Sequence, residues 1–226
     1  IADAEIEDDN KEKQTILIVD DNKDMLKFLS VNFCDKYNTI TAEDGEEALK
    51  ILKKNDISFI ISDLMMPKIN GIELCKAVRS NNSTSHIAFI LLTAKTDINS
   101  KIEGMDCGAD AYIEKPFSIQ YLEACIKNII DIRALLRQKF SKMPLMPISS
   151  IAANSLDDQF LKRMNELIEQ NFSNPDLTVD FLTEKLCISR SGLFAKIKSL
   201  ANVTPNELIQ LVRLKQAAML LLENKY

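Results

Sequence analysis

The chain has 226 residues, with 28 Lys and Arg against 33 Asp and Glu, one histidine and a formal net charge of −5. That length suits two modest domains, each able to bury its own core. One histidine and five cysteines without ligand spacing exclude a zinc site and a Ser-His-Asp triad, and no apolar run reaches the roughly 20 residues needed to cross a bilayer.

Residues 1–14 read as a solvated acidic tail, since the first 13 hold six acids and two lysines. They do not resemble a secretory signal, and a chain that opens on Ile1 is expected to be a piece of something longer. Cys34, Cys75, Cys107, Cys125 and Cys187 mostly fall on apolar faces of predicted helices, which predicts reduced, buried thiols in a cytoplasmic protein without membrane contact of its own.

From Thr15 the pattern alternates: strand 15–19, helix 23–36, strand 38–42, helix 44–54, strand 57–62, helix 71–80, strand 87–92, helix 97–107, strand 111–114 and helix 118–140. Five such units predict a parallel sheet covered by helices on both faces, an α/β doubly wound fold of flavodoxin type over 15–140. Runs such as Phe59-Ile60-Ile61 and Phe89-Ile90-Leu91-Leu92 are apolar without alternation, as strands buried on both faces are. The final helix keeps its spacing through Leu122, Ile126, Ile129, Arg133, Leu136 and Phe140, further than the sheet needs cover.

Pro144 and Pro147 end that helix, and 141–154 reads as a linker. Beyond it the strands stop. Ser155 with Asp158 suggests a capping box for a helix over 156–172, broken by Asn174-Pro175. Thr178 caps a short helix to Leu186, Cys187-Ile188-Ser189 makes a turn, a second helix covers 190–200, and Thr204-Pro205-Asn206-Glu207 opens a third over 205–223. The second domain, 155–226, is therefore smaller and all-α.

Asp20, Asp21, Asp63, Thr93 and Lys115 each fall where a predicted strand ends, at the sheet edge where ligands of open α/β folds bind. Three neighbouring carboxylates could not all stay ionised without a positive partner, and an all-oxygen set suits Mg2+. In this reading Asp21 and Asp63 ligate directly, Asp20 acts through water, and the backbone carbonyl of Met65 completes the protein share. Asp63 is the candidate nucleophile, able to take a phosphoryl group as a mixed anhydride if metal and Lys115 offset its charge. The Thr93 hydroxyl can donate to a phosphoryl oxygen.

Val19-Asp20-Asp21-Asn22, Ser62-Asp63-Leu64-Met65-Met66-Pro67 with Gly71 four residues on, Leu92-Thr93-Ala94 and Lys115-Pro116-Phe117 together resemble the receiver domain of two-component response regulators over about 15–138. The resemblance implies that Asp63 is the phosphoacceptor of a histidine kinase, that Mg2+ is required, and that Lys115-Pro116 is cis. It implies a switch in which Thr93 moves toward the phosphoryl group and Tyr112 turns inward. It also implies homodimerisation on phosphorylation through the face formed by 97–138, and no turnover beyond self-dephosphorylation.

Residues 178–200 read as a helix-turn-helix whose second member enters a DNA major groove. Leu193, Ile197 and Leu200 form its inward face, Ser191, Ala195, Lys198 and Ser199 point away, and Arg190 and Lys196 sit on the flanks. From Lys185 to Asn206 inclusive there are four basic residues and no acids. These six polar-face and flank residues are the expected DNA contacts, the basic ones to phosphates and Ser191 and Ala195 to base edges. A helical bundle with no nucleic-acid role fits the charge equally well. Leu177-Thr178, Leu186, Ser189-Arg190-Ser191, Leu193, Lys196-Ile197-Lys198, Thr204-Pro205 and Leu214 to Leu222 look like the AraC/XylS-type DNA-binding domain. Ala195 stands where that family often has arginine. The chain stops at Tyr226, near the end of the family's central helix, so only the first of two helix-turn-helix units, and weak DNA affinity, are expected.

A receiver followed by such a domain is similar to the C-terminal part of hybrid sensors of gut Bacteroides-type bacteria, in which the kinase shares the polypeptide and the inner membrane holds the sensor. No kinase motif occurs in this chain. The expected function is phosphorylation-gated transcription regulation. The alternative is a receiver used in phosphorelay or protein interaction without direct DNA binding. A Mg2+-dependent phosphatase fits less well, because such enzymes place Asp-x-Asp after the first strand, whereas this acceptor follows the third.

Overall fold

The computed structural model describes residues 13–94, 107–142, 152 and 154–222. Residues 97–106 of the helix expected at 97–107, the tail up to residue 12, the last four residues and most of the expected linker lie outside these residues.

Five strands, β1 (Thr15–Val19), β2 (Asn38–Ala42), β3 (Phe59–Asp63), β4 (Ala88–Ala94) and β5 (Ala111–Lys115), form one sheet in the order β2-β1-β3-β4-β5. All pairings are parallel. This order reverses between β1 and β3, the switch point at which a crevice opens beyond the strand ends. Side chains alternate between the faces. Ile16, Ile18, Phe59, Ile61, Ile90 and Leu92 pack under α1 (Lys23–Phe33) and the last helix of this domain. Leu17, Val19, Ile60, Phe89 and Leu91 pack under α2 (Gly45–Leu52) and α3 (Gly71–Ser80). Burial on both faces is why these strands carry no polar alternation.

The long helix α4 (Ile119–Lys142) buries Leu122, Ile126 and Ile129 against the sheet, then continues beyond it. Four helices follow: α5 (Ser155–Gln170), α6 (Val179–Leu186), α7 (Arg190–Ala201) and α8 (Pro205–Leu222). Their apolar faces close a separate core around Leu161, Met164, Ile168, Leu182, Leu193, Ile197 and Leu208. The N-cap of α5 is Asn154, whose side chain accepts the Asp157 N–H, one residue earlier than the expected Ser155. The α6–α7 turn falls at 187–189 as predicted, with Thr178 capping α6; the structure adds that Cys187 ends α6 in the left-handed conformation with φ 52° and that Ser189 caps α7. Thr204 and Glu207 exchange hydrogen bonds at the start of α8.

All five cysteines are free, but only Cys75 and Cys107 are buried; Cys34 and Cys187 are exposed. Cys34 ends α1 and Cys187 ends α6, where the chain turns outward. Among the described residues no helix is long and apolar enough to cross a membrane.

Candidate phosphoacceptor site and the C-terminal helices

At the end of β1 the Asp20-Asp21-Asn22 turn divides its work. Asp20 is 1% exposed; its Oδ1 accepts the Asn22 N–H at 2.9 Å. Asn22 in turn caps α1 by accepting from the N–H groups of Asp24 and Met25. Asp21 is left exposed on the rim. Asp63 is the last residue of β3, and Gly71 lets α3 begin against it: a Cβ at Gly71 would lie 2.2 Å from the Asp63 carbonyl oxygen. Met65, in the loop that follows, has an exposed side chain.

Lys115, the last residue of β5, reaches back across the sheet edge. Its Nζ lies 2.7 Å from Asp63 Oδ1 and 3.0 Å from Asp20 Oδ2. Burial works against its charge, but the hydrogen bonds and charges of Asp63 and Asp20 outweigh it and hold its pKa above the ordinary lysine value. One carboxylate oxygen each from Asp20, Asp21 and Asp63 lies within 4.8 Å of the others. Graded from buried to exposed, with hard oxygen donors only, these acids fit a partly hydrated divalent cation such as Mg2+. The Lys115–Pro116 peptide is cis.

A family model for the response regulator receiver domain matches residues 16–127. "Histidine kinase P4" of Formosa agariphila is 43% identical over 215 residues, 95% of this chain but 16% of that protein. "Probable transcriptional regulator ycf27" of Cyanidium caldarium is 36% identical over 199 residues, covering 86% of this chain and 76% of that one. The chain belongs to the response regulator receiver family. A receiver domain from Clostridium thermocellum superposes with a TM-score of 0.50 at 32% identity, over 54% of this chain and 98% of the other.

Of the two expected switch residues, Thr93 lies near this edge, whereas Tyr112 lies three residues back along β5 from Lys115. Thr93 is buried near the end of β4, with its hydroxyl donating to the Ala94 carbonyl at 3.2 Å. Tyr112, on β5, is half-buried against the α3-side core, its hydroxyl 3.2 Å from Cys107 Sγ. Residues 97–106, part of the expected dimer face, lie outside the described residues.

In the C-terminal domain Ser191 and Lys198 are exposed, and Ala195 and Ser199 half-buried. Arg190 is exposed, paired with Asp180 and stacked over the Phe194 ring at 5.7 Å. Lys196 departs from expectation. Expected on an open flank, it is completely buried, its Nζ 2.8 Å from Asp157 Oδ1, 2.6 Å from Ser85 Oγ and 2.9 Å from the Asn82 carbonyl. It lies one turn beyond Gly192 on the side of α7 that faces the receiver loop 81–87, so the first domain covers it. Sequence reasoning missed Ser85, Asp157 and Asn154 because the contacts join residues about 70 to 110 positions apart. The one local hint is Gly192 inside a helix: a Cβ there would lie 3.1 Å from Ser83 Oγ.

Proposed function

We propose that this receiver takes a phosphoryl group on Asp63 from a histidine kinase and so controls a DNA-binding output built on α6 and α7. The carrying observation is Lys115 Nζ poised between Asp63 Oδ1 and Asp20 Oδ2 inside the three-carboxylate cluster. Asp63 attacks phosphorus, an O–P bond forms, and the bond to the donor nitrogen breaks as the imidazole leaves. The Lys115 ammonium offsets charge on the acyl phosphate, and buried Asp20 holds that ammonium in place. Mg2+ held by Asp20, Asp21, Asp63 and the Met65 carbonyl would supply charge neutralisation for the phosphoryl oxygens. Thr93 and Tyr112 carry the change of charge into the 97–138 face, where phosphorylated receivers pair. The chain is an acceptor, without turnover of small substrates.

Two helices, a three-residue turn and a cap at each junction support a helix-turn-helix of AraC type. The alignment of 95% of the chain within a kinase many times longer supports a donor in the same polypeptide.

Acetyl phosphate with Mg2+ is expected to add one phosphoryl group, seen by mass spectrometry and lost in Asp63→Asn. An unmodified chain with abundant metal overturns the phosphoacceptor reading. A second reading, phosphorelay without DNA contact, is favoured by the burial of Lys196. Neutralising Arg190 and Lys198 separates the two: promoter binding by the parent protein falls if α7 reads DNA, and is unchanged if it does not.

A further inference from the structure

We propose that the Gly192–Lys196 flank of α7 has two mutually exclusive partners, the receiver loop 81–87 that covers it here and the phosphate backbone of a DNA duplex. The arrangement described above is then the closed, DNA-excluding form. This proposal rests on the DNA-binding reading of α7.

Ser85 is the centre of the contact. Lys196 donates to its Oγ at 2.6 Å, and that hydroxyl donates to Asp157 Oδ1 at 2.7 Å. Asn154 Nδ2 donates to the Ser85 carbonyl at 2.8 Å and to Asp157 Oδ2 at 2.9 Å. The loop is held from behind by its own domain: Arg79 donates to the carbonyls of Ser85 and Ile87, and Arg133 to that of His86. Opening therefore moves the helical domain off a loop that keeps its shape.

A major groove about 12 Å wide accepts a helix about 10–12 Å across, so both flanks of an inserted helix lie against phosphates. On one flank of α7 that space is filled, since Ser83 Oγ stands 3.1 Å from where a Gly192 Cβ would be. The contact is also made to part. None of the three buried hydrophobic clusters contains residues of both domains. The contact instead buries an ion pair and leaves His86 Nδ1 without a partner, both costly. Opening exposes the Lys196 ammonium beside Lys198 and Arg190, where it can meet a phosphate.

The test uses the whole chain, wild type and with Ser83→Arg or Ser85→Ala, each first shown to be phosphorylated on Asp63 by acetyl phosphate. Two probes are applied: amine acylation read residue by residue by mass spectrometry, and a short random-sequence DNA duplex at low salt. Wild-type Lys196 is expected to react about tenfold more slowly than Lys198, and both variants to speed Lys196 and tighten duplex binding by about tenfold. Equal reactivity of Lys196 and Lys198 in the wild type overturns the closed contact. Faster Lys196 acylation with unchanged, measurable duplex affinity overturns the exclusivity. No duplex binding by any form, with Lys196 still unmasked by the variants, overturns the DNA reading and leaves the interdomain contact standing.

Discussion

His86 is the chain's only histidine, 4% exposed at the junction of the two domains. Burial, the nearby Lys196 ammonium and the Arg133 and Arg79 guanidiniums lower its pKa from 6.5 to about 3, with Asp157 opposing them. The unfolded chain binds a proton that the folded chain refuses between those values. Its contribution to stability is therefore complete above pH 6.5 and is lost as pH falls toward 3, by about 1.4 kcal/mol per unit. Carboxylates titrate lower, so urea unfolding of the untagged chain between about pH 5 and 7 should show this slope, and His86→Gln should flatten it. A flat wild-type profile would mean that the imidazole is solvated in solution.

Helix ends, more than helix middles, position both candidate sites. The Gly71 Cα sits where a Cβ would meet the Asp63 carbonyl at 2.2 Å and Leu91 Cδ2 at 2.7 Å, and the backbone oxygen cannot swing aside. Gly71→Ala should destabilise the receiver by about 1–3 kcal/mol and slow acetyl-phosphate labelling of Asp63, because relief of the clash moves the acceptor. Equal labelling rates at matched folded fractions would contradict that geometry. Cys187 ends α6 at φ 52°, a conformation that costs most side chains about 1–2 kcal/mol. Cys187→Gly should thus raise the stability of the C-terminal domain by about 1 kcal/mol, measured by denaturant unfolding, since glycine is the usual residue at such a cap. Asn202, at φ 57° after α7, already has a side chain that tolerates this region.

For the whole molecule, the decisive feature is a polar seam between two separate cores. Burial lowers the Lys196 pKa despite Asp157 beside it, so the ammonium depends on its partners to remain charged there. Lys196→Met would leave the fully buried Asp157 carboxylate without its cation, at a cost of about 3–5 kcal/mol in denaturant unfolding. Adding Asp157→Leu should recover most of that loss. A single variant as stable as wild type would show that the seam is solvated.

What the sequence settled by itself was local or periodic. Unbroken apolar runs marked the strands, Thr178 and Thr204 marked helix starts, and strand-end Asp20, Asp63, Thr93 and Lys115 marked the pocket, because a parallel sheet brings successive strand ends to one edge. Tertiary structure alone decided which pocket groups touch and which domain covers α7. Lys196 has the spacing and charge of a phosphate contact; its burial follows from a serine 111 residues away, and no pattern along the chain encodes that distance. Cys34 and Cys187 likewise read as buried thiols, yet each is the exposed C-cap of a helix. Periodicity reports which face of an element is apolar, whereas the partner of its polar face depends on packing between elements far apart in sequence.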